Sequence, residues 1–451
     1  MNNQFFKITL LTLVLLLAGA ASAAQAATLT VTNTNDSGAG SLRQAIINAA
    51  AGDTIVFDSS VFSTPQTINL TTSDFTPSGG RAGLFINKSL TIVGPGARLL
   101  TVRRNSTTQF GIFANSGRPT RISGITVSNG NASIFGGSFD NFGGTLVLDG
   151  VTVTGDVSTE SAVSVENGST TTIINSTITG NSSVPVVGES GTINIANTTI
   201  SGNNDIRQGL GAVYFFDTLG NLNLNNVTIA NNQPFGVNNG GGTINVRNTI
   251  IAGNRQDIAG AFVSNGNNLI GSTTGGSGFT QPTDKTNVAA NLAPLANNGG
   301  QTNTHLPNTG SPAIDAGNNC VVNLSCGANN PPVALTTDQR GSPFARQSRG
   351  TVDIGAVEVQ APTAATVSVG GRVMTASGRG ITNVRISLTD SEGNVRTATT
   401  TTFGYYHFED VAAGETYVIN ARGKRYSFSQ PLQVLSVSDE TTNVNFIAYP
   451  N

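Results

Sequence analysis

The stretches TIINSTITGN (172–181), INIANTTISGN (193–203), LNLNNVTIANN (222–232) and INVRNTIIAGN (244–254) repeat one phrase with small changes. Each reads as alternating apolar residues, an Asn, then β-branched residues and a closing Gly or Asn: a strand, a tight bend and a second strand. A unit this short cannot bury its own apolar face, so the copies are expected to stack on one another. The anchor before the second strand falls at Gly124, Gly150, Asn175, Asn197, Asn226 and Asn248, at intervals of 26, 25, 22, 29 and 22 residues. That period is shorter than a propeller blade of about 40 residues, and the apolar spacing is not helical. The pattern predicts an all-β chain built on a right-handed parallel β-helix of about ten to thirteen coils, roughly 50 to 60 Å long at the ~4.8 Å strand spacing. NKSLTIVGPG (87–96) reads as an earlier coil and NNLIGS (267–272) as a later one.

Composition narrows the class. Of 451 residues only 11% are charged, against the usual ~25%, while Gly supplies 54 and Trp none. A net charge of −2 gives no electrostatic footprint for nucleic acid or an anionic membrane. Lys7, the apolar run Ile8 to Leu17 and the small residues 20–27 describe a secretory signal peptide over 1–26, ending at Ala23 or Ala26. That run is well short of the ~20 residues that span a bilayer, and no later segment is a transmembrane helix. Secretion or surface location follows as the expectation. In an oxidising compartment Cys320 and Cys326 are expected to form a local disulfide, the two Cys alone being a poor metal site.

Residues 28–58 open the mature chain. Ser41 and Gln44 have capping-box spacing, and Leu42, Ala45, Ile46 and Ala49 share one face of a helix over 42–50 that ends before Gly52. Such a helix would cap the open end of the stack. TNTNDSGAGSLRQAI resembles the N-terminal signature of secreted polymorphic-outer-membrane-protein-like chains, usually close to CSLREAI, with Gly40 for the Cys and Gln44 for the Glu. SPAIDAG (311–317), TDQRG (337–341) and VDIGAVE (352–358) resemble the closing signature of choice-of-anchor β-helix proteins. The resemblance implies fold and export, with a β-helix over 27–360, and brings no reaction with it.

APTAAT (361–366) reads as a linker. The remainder, 367–451, resembles a carboxypeptidase-regulatory-like domain at Gly371, Val384, Ile386, Gly404, Tyr406, Phe408, Gly414 and Tyr417. That resemblance implies a seven-stranded, transthyretin-like sandwich.

Parallel β-helices often carry polysaccharide lyases, but fold alone implies no function. A lyase needs Arg or Lys as base beside acidic Ca²⁺ ligands. Between Ile122 and Val246 the chain has eight acidic residues and one base, Arg207, so no site on the β-helix is expected to place Arg or Lys beside two or more convergent carboxylates. A hydrolase needs a carboxylate pair. Asp140, Asp149, Asp156, Glu160, Glu166, Glu189, Asp205 and Asp217 supply candidates, which the sequence reads as turn-capping or solvated. His305 and His407 have no nucleophile elbow beside them. The Asn anchors read as a structural ladder, and Asp315, Asp338 and Asp353 as turn caps rather than Ca²⁺ ligands.

Aromatic residues hint at binding: Phe135, Phe139 and Phe142 in a Gly-rich insertion, and the run Tyr214, Phe215, Phe216, in which alternation turns one ring outward. Tyr214, Phe216 and Asp217 are the ligand-face candidates. No catalytic residue, cofactor or metal is assigned. The expectation is an exported bacterial protein with a non-catalytic display, adhesion or binding role toward extracellular polysaccharide or cell-surface components. The alternatives are a carbohydrate-active enzyme on the β-helix and a carbohydrate-binding protein acting through the sandwich.

Overall fold

The computed structural model describes residues 26–451 apart from 77–78, 207, 216–217, 349, 361–365 and 392. The expected signal peptide and linker fall almost wholly outside them, as do Arg207, Phe216 and Asp217. The chain divides into two compact units, one ending at Val359 and the other beginning at Gln360.

The first unit is a parallel β-solenoid. Strands Arg81–Ile86, Leu90–Val93 and Leu100–Arg104 lie on three faces, here A, B and C, and Gly111–Ser116, Pro119–Ser123 and Thr126–Ser128 stack on them in parallel register. Both outlying phrases, near Leu90 and Leu269, join the stack. Face A holds ten strands, of which Asp74–Phe75 is antiparallel, leaving nine that repeat with the coil. The solenoid therefore has about nine turns, about 43 Å at ~4.8 Å each, and not ten to thirteen. The discrepancy is residues 288–359, which lack the alternating rungs and form no coil. They carry isolated bridges and the short helix Cys320–Asn323, held by the Cys320–Cys326 disulfide.

Each turn sends one apolar rung inward from each face. On B the register aligns Ile92, Ile122, Leu148, Ile173, Ile195, Leu224 and Val246, and on C it aligns Val102, Val127, Val153, Ile178, Ile200, Ile229 and Ile251. Every one of these is fully buried. On A, Phe113 stacks on Phe139 with centroids 5.4 Å apart, so this ring of the Gly-rich insertion fills the core. The open end is closed by helix Leu42–Asn48, two residues shorter than expected, which buries Leu42, Ala45 and Ile46. Ser41 Oγ accepts from Gln44 N, but the Gln44 side chain donates to Asn48, so only half of a capping box forms. Gly40 has φ 78°, and a Cβ there would lie 2.2 Å from Thr32 Oγ1, so any side chain at this position would be strained.

The B-to-C bend is left-handed in seven successive coils: Gly124, Gly150, Asn175, Asn197, Asn226, Asn248 and Asn267 all have φ between 42° and 62°. The side chains form a broken ladder. Asn197 donates to Asn175 (3.4 Å) and Asn248 to Asn226 (3.2 Å), but Asn226 does not reach Asn197. Residues 302–358 run along this bend and complete it. Asn197 donates to Thr337 O, Asn226 to Asp353 O and Gly355 O, Asn248 to Asn318 O and Asn267 to Ala316 O. Gln339 bonds Thr177, Thr199 and Thr302. Underneath, Val321, Leu335 and Val352 cover Ile174 and Ala196.

A second ladder, unbroken and buried, holds the C-to-A corner. Asn181 donates to Asn203, Asn203 to Asn232 and Asn232 to Asn254, each at 2.9 Å, and each also donates to a backbone carbonyl.

The second unit is a sandwich of two four-stranded sheets. It has eight strands rather than seven, because Tyr426–Phe428 pairs with the C-terminal Phe446–Pro450. Val384, Ile386, Tyr406, Phe408 and Tyr417 are buried in its core, and Tyr406 OH donates to Val444 O.

Replacing Ile200 by Ala is expected to cost about 2 to 5 kcal/mol, the range for a fully buried aliphatic truncation, read by denaturant unfolding. Asn203→Ala, which leaves buried amides unpaired in two neighbouring coils, should cost about 1 to 3 kcal/mol. Asn175→Ala should cost less, since the Asn175 amide has an exposed alternative in solvent.

Candidate functional site: a carboxylate-lined face

Alternation within Ser161–Glu166 sends Val163 and Val165 into the core and sets Ser164 and Glu166 on the opposite side of face A, where they are still buried, at 1% and 3% exposed. The register sets Asp140 beside Ser164 in the preceding coil, and Val187, Tyr214 and Asn238 continue that outer row through the following coils. Glu166 lies beside Phe142, while Glu189 follows Gly188, the partner of Val165. Glu160 lies one residue before the strand, where its Oε2 accepts from Phe135 N at 2.9 Å.

Four of the sequence-derived carboxylates, Asp140, Glu160, Glu166 and Glu189, thus share one electrostatic neighbourhood. Burial is the largest influence on Glu166 and pushes it up to about 8. Ser164, whose hydroxyl donates to it, opposes that, and Asp140, Glu189 and Glu160 add to it. Burial and Glu160 also raise Glu189. The arrangement keeps a neutral carboxyl group at pH 7, able to donate as well as accept.

The other acidic candidates are structural. Asp156 is fully buried and pushed up to about 6 by that burial, with Ser158, Ser183 and Ser138 bonding it. Asp149 pairs with Arg121 and accepts from Asn175. Asp205 accepts from the amides of Gln208 and Leu210 and so closes a turn. Of the ligand-face candidates, Tyr214 is half-buried on the outer row of face A, with Val213 and Phe215 in the core on either side of it.

One expectation is overturned. A basic side chain does stand beside two carboxylates in the first unit: Arg346 pairs with Glu358 at 3.0 Å and its charge also acts on Asp353. This group has no access, since Arg346, Asp353 and Glu358 are at most 1% exposed. The sequence argument counted bases only inside the coils, whereas Arg346 is delivered from the closing segment. Its guanidinium donates to Asn197 Oδ1, Gly355 O, Asp353 O and Val357 O, filling the gap in the Asn ladder. Asp338 accepts from Arg340 and from Glu358 N, and Asp353 from Asp315 N and Val359 N.

Ser201 and His305 form a pair at 2.7 Å that the sequence did not reveal, with His305 Nδ1 on Ala293 O at 2.6 Å. Both are 2% exposed, and burial lowers the imidazole. The pair fastens the closing segment to face C and presents no nucleophile to solvent.

Residues 368–448 match the carboxypeptidase regulatory-like domain family. No curated protein matches the chain. Among solved structures the chain is similar to pectate lyase Pel9A, with a TM-score of 0.42 and 13% identity over 74% of this chain and 97% of that one.

The Glu166 shift has a signed consequence. Its folded value, about 8, lies above the ordinary glutamate value of 4.5, so the contribution is fully present below the unfolded value and is lost as pH rises through the folded one. The stability difference between the wild type and Glu166→Gln, measured by urea titration, should therefore fall between pH 4.5 and 8 and level off above.

Proposed function

We propose that this is an exported cell-surface or extracellular protein that binds an extended glycan or a surface component along face A and performs no chemistry on it. The observation that supports the reading is the charge of that face. Asp140, Glu160, Glu166 and Glu189 gather on face A, and the charges that act on Glu166 are all carboxylates. Carboxylates and Asn amides spaced at the ~4.8 Å strand repeat accept and donate hydrogen bonds along an extended chain of hydroxyls, and repetition accumulates affinity. Tyr214 adds a ring on the same row. Export is inferred from the N-terminal apolar run, and the Cys320–Cys326 disulfide suits an oxidising compartment. The likeness to polymorphic-outer-membrane-protein-like and choice-of-anchor chains goes with this reading, since the residues that carry it form the cap and the closing lock.

A second reading is favoured by one feature. Glycoside hydrolases use a carboxylic acid whose pKa is raised, and Glu166 has that property. One experiment separates the two. The full chain is incubated with a panel of bacterial and plant polysaccharides, scoring both binding and new reducing ends. The binding reading predicts saturable retention without turnover, weakened by Tyr214→Ala and by Glu166→Ala. Turnover abolished by Glu166→Gln would replace it with the hydrolase.

A further inference from the structure

The sandwich gathers positive charge at one end without neutralising it. Residues Thr382–Arg385 and Arg422–Tyr426 frame a cleft of about 730 Å³, within the ~300–1,000 Å³ of typical ligand sites. The strands Arg385–Thr389 and Glu415–Arg422 are antiparallel, and their register sets Arg385 directly opposite Arg422. Like charges in that position oppose folding. Lys424 and Arg425 follow in the turn that the Gly423–Tyr426 bridge closes. All four basic side chains are exposed, and among the described residues none is paired with a carboxylate.

The concentration is local. Residues 366–451 contain seven Lys or Arg and seven Asp or Glu, so the unit is neutral, yet four of its cations line one cleft with no acid among the described residues of its wall. Other arginines of the unit are used by the fold: Arg372 donates to Phe403 O and lies over Tyr405, and Arg396 donates to the carbonyls of Asp410 and Glu409. Repulsion between Arg385 and Arg422 has no counterpart of that kind.

We propose that this cleft binds an anionic glycan through its carboxylate or sulfate groups. Guanidinium forks match those oxyanions in pairs of parallel hydrogen bonds, and the Tyr426 ring at the rim offers an apolar wall for a sugar face. A neutral unit with one basic cleft lacks the continuous basic stripe that tracks a nucleic-acid backbone. The site is separate from the carboxylate face of the solenoid, and its ligand has the opposite charge preference.

The test uses the full chain with polygalacturonate, dextran sulfate, uncharged dextran and a single-stranded oligonucleotide, at 50 and 300 mM NaCl. Binding of polygalacturonate or dextran sulfate at the lower salt, weakened at the higher, with none to dextran, is expected. Which of the two binds more tightly distinguishes carboxylate from sulfate. Arg385→Gln with Arg422→Gln, and separately Lys424→Gln with Arg425→Gln, should each weaken binding about tenfold or more. The first pair should also melt no lower than wild type, because a repulsion is removed. Binding of uncharged polysaccharides, weakened by Tyr214→Ala, is scored apart from polyanion binding, so failure of this proposal and failure of the face A reading are read separately. Unchanged polyanion affinity in both double variants, no binding to either polyanion, or tighter binding to the oligonucleotide would each overturn it.

Discussion

From Gly124 to Asn267 each coil turns from face B to face C through one residue of left-handed backbone, and the closing segment of the first unit is arranged around that constraint. Asn is the side chain that tolerates the conformation and still brings hydrogen-bonding groups. Its amide cannot be satisfied by neighbouring coils alone, as the gap between Asn197 and Asn226 shows. The closing segment supplies what is missing, with Arg346 bridging Asn197 to three backbone carbonyls and Glu358. Gly355 is required there: its φ is 98°, and a Cβ would lie 2.7 Å from Ile250 Cδ1. Where the bend residue is Gly124 or Gly150 there is no amide to cover, and those glycines line a cleft of about 260 Å³ beside Gln339 and Arg340.

Burying Arg346 and Glu358 together is costly, and such a pair is weak evidence for net stability, although removing one partner is expected to cost about 3 to 5 kcal/mol. Burial pushes Glu358 up to about 7 against the pull of Arg346. The function of the group is better understood as geometric. It fixes which carbonyls of residues 353–357 face the bend, and that sets the closing segment in register with coils more than a hundred residues earlier. The B-to-C edge is thereby consumed by structure. Face A holds the grouped carboxylates, and burial together with their mutual repulsion raises Glu166 there.

The repeat phrase made the stacked coils legible, because alternation and β-branching encode inward rungs and Asn or Gly encodes the bend. The coil count was overstated because residues 288–359 share the composition of the coils without their alternation. The second Asn ladder was present in the closing Asn of each quoted phrase, at 181, 203, 232 and 254, but a reading centred on the first bend passed over it. The sequence offered the carboxylates of face A without their grouping, since only the register between coils places Asp140, Glu166 and Glu189 together. In the same way Arg385 and Arg422 are 37 residues apart, and only the pairing of their strands makes them opposite neighbours.

The central claim, that the closing segment completes the left-handed bends, is tested most directly by amide hydrogen exchange on Arg346→Met against wild type. The account predicts that protection falls in residues 337–358 and also at the bend amides of Asn197, Asn226 and Asn248, while the ladder at Asn203 and Asn232 stays protected. Loss confined to residues 337–358, with the bends exchanging as in wild type, would contradict it.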